Sequence, residues 1–151
     1  MEHFKTIDDI LDFAIKNEEM AAELYDRLAK EAKNAATKKF WEDLKEEEIV
    51  HKVRLQGMKE GKLLNIISGK IMDLKIADYL PEAEISENSD YQEALVFAMQ
   101  AEKAEYKLYK DLAAKTDDPD MKKNLLILAQ EEAKHKLQLE IEYDEFILQE
   151  G

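Results

Sequence analysis

The chain contains no cysteine. That absence excludes disulfides, thiolate zinc sites and iron–sulfur clusters, so any metal must be held by Glu, Asp or His. Glycine and proline are almost as scarce, at four and two of 151 residues, which leaves little material for the turns of a many-stranded β fold. No run approaches the roughly 18 apolar residues needed to cross a membrane, and the opening MEHFKTIDDI lacks the basic and apolar segments of an export signal. A cytoplasmic protein is the expectation. Basic residues are outnumbered, 22 Lys and Arg against 35 Asp and Glu, and a net charge of −13 repels nucleic acid and anionic membrane. What the chain has in abundance is Ala, Leu, Glu, Lys and Met, all good helix formers. One all-α domain over residues 1–151 is predicted.

Local signals divide that domain into four long helices. Thr6 and Asp9 stand at capping-box spacing, with Asp in place of the usual Glu, so the first helix is predicted to start after Thr6 and run to about Lys33. A second, from about Ala36 to Glu60, carries Phe40, Leu44, His51, Leu55 and Met58 at helical spacing and meets a stop at Gly61. Asp90 and Glu93 open a third helix that runs to about Lys115, and Asp118 followed by Pro119 opens a fourth that runs to about Gln149. Between the second and third lies a long connection, residues 62–89, with a short helix expected at about Lys70 to Tyr79 and an extended PEAEISENS segment. Its LLNIISGKIM stretch is apolar enough to pack on the helices or on a second subunit. Two helical hairpins joined by one long crossover have the connectivity of a ferritin-like four-helix bundle.

Two short stretches, EEEIVH at 46–51 and QEEAKH at 130–135, end in histidine with a glutamate three positions before it. Glu makes up 22 of 151 residues, so two such spacings arise by chance at roughly two per cent. An internal repeat turns the coincidence into a pattern. A shift of 84 residues superimposes Leu11 on Leu95, Phe13 on Phe97, Tyr25 on Tyr109, Leu44 on Leu128 and His51 on His135. The same shift places Glu18 on Glu102 and Glu48 on Glu132. The chain therefore reads as a duplicated helical hairpin, about 1–61 and 85–151.

Helical periodicity aims these residues inward. Glu18 lies within the stripe of Leu11, Ala14, Ile15, Ala21 and Tyr25, and Glu102 lies among Leu95, Ala98, Met99 and Tyr109, with Glu105 nearer the flank. In the fourth helix Glu132 and His135 belong to the stripe of Leu125, Leu128, Leu139, Tyr143 and Phe146, whereas Glu131 turns away. Glu47 and Glu48 straddle the stripe of the second helix equally, and the repeat selects Glu48. Four inward carboxylates and two imidazoles crowd one another, and a buried unpaired carboxylate costs several kcal/mol. No core-facing Lys or Arg is apparent on these stripes, which leaves metal ions or proton sharing to balance the charge. Glu-x-x-His puts both donors on one helical face, and carboxylate with imidazole suits iron or manganese better than copper.

At these residues the sequence resembles the rubrerythrin family: EEMAAELY at 18–25, EKAEYKLY at 102–109, EEIVH at 47–51 and EEAKH at 131–135, over nearly the whole chain. The resemblance implies a centre of two iron ions, with manganese as the alternative, held by Glu18, Glu48, His51, Glu102, Glu132 and His135. It further implies that Glu105 takes part when the iron changes oxidation state, and that Glu48 and Glu132 bridge. The implied activity is reduction of hydrogen peroxide or dioxygen, with iron sequestration as the rival. No cysteine-ligated rubredoxin module is present, so electrons are expected from a separate donor such as a rubredoxin, and a homodimer is expected. Tyr25 and Tyr109 are candidates either for proton or radical chemistry near the metal or for packing with a hydrogen bond. Tyr106 is a weaker candidate for the same role. His3 reads as a mobile terminal residue, Trp41 as a packing or interface residue, and Glu47 and Glu131 as solvated.

Overall fold

The computed structural model of the chain describes residues 3–60 and 74–150. Its four long helices are α1 (Ile7–Glu31), α2 (Ala35–Glu60), α3 (Tyr91–Lys115) and α4 (Pro119–Glu150). Among the described residues there is no strand, only isolated bridge positions, of which His3 and Lys75 pair with each other. The protein is all-α, with the helix complement of a four-helix bundle. The described residues fall into two compact units, one holding α1 and α2, the other holding Phe4 with Leu74 onward. No described helix is long and apolar enough to cross a membrane.

The first unit is a tight helical hairpin. Thr6 Oγ1 accepts from the Asp9 N–H at 3.0 Å while Asp9 Oδ2 accepts from the Thr6 N–H at 3.2 Å, closing the predicted capping box. The helix ends earlier than expected because Ala32 turns to an extended conformation (φ −64°, ψ 137°) and its N–H donates to the Ala29 carbonyl. After the short link, Asn34 Oδ1 accepts from the Thr37 N–H at 2.8 Å and caps α2. Three ion pairs at seven-residue steps then run along the antiparallel pair: Lys45 with Asp26 at 3.0 Å, Lys52 with Glu19 at 3.1 Å, and Lys59 with Asp12. Hydrogen bonds from Lys30 and then Lys45 hold the Asp26 carboxyl below its usual range. Inside the hairpin, Trp41 is fully buried, 5.4 Å from the Tyr25 ring and edge-on to Phe40 at 4.9 Å.

The second unit repeats the hairpin with α3 and α4. Asp90 and Glu93 form the mirrored capping box, with bonds of 2.8 and 2.9 Å. At the connection Asp118 Oδ1 accepts from the Asp120 N–H at 2.9 Å, which starts α4 at Pro119. The short helix expected at about Lys70 to Tyr79 differs: in its described part only a 3₁₀ turn forms, Ile76–Tyr79. Lys75 cannot join it, because its backbone is extended and bridges to His3. His3 is therefore tied down rather than loose. The Phe4 N–H donates to the Leu74 carbonyl at 3.3 Å, and the Tyr79 hydroxyl donates to Asp111 on α3 at 2.8 Å. The rest of the expected short helix, the Gly61 stop and the LLNIISGKIM stretch lie outside the described residues.

Candidate metal centre

The inward stripes of the helices carry an unusual set of buried side chains. Among the described residues the buried carboxylates and imidazoles are Glu18, Glu48, His51, Glu102, Glu105, Glu132 and His135, and no Lys or Arg is buried with them. Glu48 is fully buried and Glu47 only half-buried, and the same division separates Glu132 from Glu131. The neighbours expected to be solvated are thus partly covered, since each stands one residue from the buried stripe.

Each hairpin gathers its own cluster. In the first, His51 Nδ1 lies 3.6 Å from Glu18 Oε2 and 4.0 Å from Glu48 Oε2. In the second, His135 Nδ1 lies 3.6 Å from Glu102 Oε2 and 4.0 Å from Glu132 Oε1. Glu18, Glu48 and His51 each offer a donor atom within 4.8 Å of the other two, and so do Glu102, Glu132 and His135. The geometry follows from the helix: Glu-x-x-His places two donors on one face one turn apart, and the facing helix supplies the third. Glu105 is buried one turn beyond Glu102 on α3. Tyr25 and Tyr109 are buried two turns beyond Glu18 and Glu102 on the same helices.

These separations exceed hydrogen-bond length. Donors held about 2.1 Å from a common ion stand roughly 3.0–4.2 Å apart, depending on the angle between them. The observed 3.6 and 4.0 Å fall within that interval. Oxygen and imidazole donors without thiolate are the chemistry that iron and manganese accept, and bound dications would offset the charge of buried carboxylates that no buried Lys or Arg balances.

The rubrerythrin family model matches residues 9–143. This chain belongs to the rubrerythrin family. No curated protein and no solved structure matches it. For a rubrerythrin the metal implied is iron, and the buried donor set fits it: hard and borderline ligands, one imidazole per hairpin, enclosed from water. Both Glu-x-x-His pairs of this rubrerythrin lie inside the matched region. One surface escaped the sequence reading, an open groove between α3 and α4 bordered by Tyr106, Lys110, Lys122 and Lys123. Its signal was present in the repeat, at positions where the two hairpins disagree.

Proposed function

We propose that the chain is a di-iron carboxylate oxidoreductase that reduces hydrogen peroxide, or dioxygen, with electrons from a separate donor protein. The observation that carries the reading is the doubled cluster, in which each hairpin sets one imidazole against two carboxylates at the same distances. Glu18, Glu48 and His51 would hold one ion, and Glu102, Glu132 and His135 the other. Bound there, iron would supply reversible one-electron chemistry at each ion. The chain's own contribution is charge and enclosure. The carboxylates balance the ions without help from basic side chains, and burial keeps bulk water away, which strengthens every interaction inside. Glu105 provides a further carboxylate on α3 able to take up the change of charge between oxidation states. Reduction of peroxide takes two electrons and two protons and releases two waters. The Tyr25 and Tyr109 hydroxyls are assigned as buried proton donors to the oxygens of the cleaved bond.

Anaerobic metal analysis, with an absorption spectrum after oxidation, tests the centre: about two ions per chain are expected, and Glu48→Ala combined with Glu132→Ala should abolish binding. Stoichiometric metal in that double variant would sink the assignment. Reduced protein mixed with peroxide and a supplied rubredoxin separates the activities. Multiple turnovers support the oxidoreductase, whereas one oxidation followed by mineral growth supports sequestration.

A further inference from the structure

The two hairpins share their inward residues but not their outward ones. In the first hairpin, Lys45 lies across the seam between the helices and pairs with Asp26, and Lys39 pairs with Asp43 at 2.9 Å. Eighty-four residues later the same four positions are Ala129, Lys110, Lys123 and Ile127. Both ion pairs are gone. The long side chain that filled the seam has become a methyl group, and the two acidic partners have become a lysine and an isoleucine. The result is a groove of about 560 Å³ with Ala129 at its floor, Leu126 and Ile127 exposed along one side, and Lys110, Lys122 and Lys123 on its rim. No carboxylate lines it. Among the described residues these three lysines form no ion pair, and only Lys110 has a ring partner, Tyr106, with Nζ 5.6 Å from the ring centre.

A patch of uncompensated lysines around exposed apolar side chains stands out on a chain of net charge −13. Charge of one sign at the rim of a water-exposed apolar surface steers a partner of the opposite sign and fixes its register. The groove also lies over the turns that carry the proposed ligands. Tyr106 directly follows Glu105, and Ala129 stands three residues before Glu132. From the groove to the inward carboxylates of α3 and α4 is about one helix diameter, ~10 Å.

We infer that the α3–α4 groove is the docking surface for the electron donor, and that the donor is a small protein with an acidic face around an apolar spot. The inference rests on the oxidoreductase reading. Each docking delivers one electron, so two reduced donors are oxidised per peroxide, and two protons from solvent complete two waters. A second copy of the chain fits less well as occupant, because at the equivalent positions of the first hairpin Asp26 and Asp43 are already paired with Lys45 and Lys39.

The test uses the full iron-loaded chain and, as probe, a rubredoxin chosen for net negative charge. Binding is titrated at low and physiological salt, and peroxide turnover is measured with the rubredoxin and with a small chemical reductant. In K110E/K122E/K123E, the Kd and the KM for rubredoxin should rise about tenfold or more and lose most of their salt dependence, with turnover on the chemical reductant unchanged. K110D/A129K rebuilds the pair that the first hairpin already tolerates and fills the seam, so the same loss is expected without reversing the whole rim. Absence of binding to the unaltered chain, an unchanged KM in either variant, or a groove found covered by a second copy would overturn the inference. If the unaltered chain binds rubredoxin through these lysines yet turns over no peroxide with either reductant, docking stands and the oxidoreductase reading fails.

Discussion

His51 Nδ1 lies 3.6 Å from Glu18 Oε2, and the copied pair, His135 and Glu102, keeps the same separation. Two sites whose Glu, Glu and His donors match in burial and distance, and which differ only in the Glu105 that α3 adds where α1 has Ala21, should bind metal with similar strength. His51→Ala and His135→Ala are each expected to lower metal affinity by about 100-fold or more, with the two losses agreeing within about threefold. Competition against a chelator reads both values. A large inequality would show that the repeat preserved the geometry but not the chemistry.

Metal should also act as a stabiliser, since it relieves the crowding of buried carboxylates. A ligand present at one hundred times its Kd adds about 2.7 kcal/mol. For a chain of this length that corresponds to a rise in Tm of roughly 5–10 °C. Thermal unfolding with ferrous iron and after chelation measures the difference, and an unchanged Tm would argue against a buried site.

The tyrosines separate proton chemistry from packing. Tyr25 and Tyr109 are both buried, and phenylalanine keeps their volume. Tyr25→Phe and Tyr109→Phe should retain iron, while peroxide turnover falls on the order of 100-fold in whichever variant has lost its proton donor. Full turnover in both variants would assign these rings to the core alone.

Much of the fold was legible because capping and periodicity are local. Thr6 with Asp9, and Asp90 with Glu93, announced their helices through side-chain to backbone bonds that need no tertiary context. Asn34 was missed as the cap of α2 because it acts alone, without the reciprocal acid three residues on. The expected stripe of α2 holds at Leu44, His51, Leu55 and Met58, all buried, and differs only at its first member: Phe40 is half-buried and its neighbour Trp41 is fully enclosed. Periodicity cannot choose between adjacent aromatics, whereas packing against Tyr25 can. Periodicity alone turns Glu18, Glu102 and Glu132 inward, and only in α2 is the repeat needed, where it chooses Glu48 over Glu47. The groove was not read, since its evidence lay in mismatches such as Lys45 against Ala129 rather than in matches.

The unequal burial of these two rings makes a stability prediction. Trp41→Ala empties the centre of the first hairpin and should cost roughly 3–5 kcal/mol. Phe40→Ala removes a half-buried ring and should cost clearly less. Urea unfolding of the metal-free chain reads both, and equal costs would contradict the observed burial.

Tyr79 should make stability depend on alkaline pH. Burial first, and the hydrogen bond to Asp111 second, push its phenol well above the ordinary value of 10.0. In the unfolded chain the hydroxyl loses its proton near that ordinary value. Between the two, the folded state binds one proton more than the unfolded state, so stability is full below about pH 10 and declines as pH rises, by about 1.4 kcal/mol per unit. Tyr79→Phe removes both the bond and the titration. At pH 7 the variant should be less stable by about 1–2 kcal/mol, the worth of a hydrogen bond to a carboxylate that stays partly in contact with water. Above pH 10 the gap between the two proteins should narrow steadily, because only the unaltered chain keeps losing stability through this group. Lysines that titrate in the same range are common to both proteins and cancel in the comparison. Urea unfolding at pH 7 and pH 11 measures the gap, and a gap that stays constant would mean that Asp111 does not hold the Tyr79 proton.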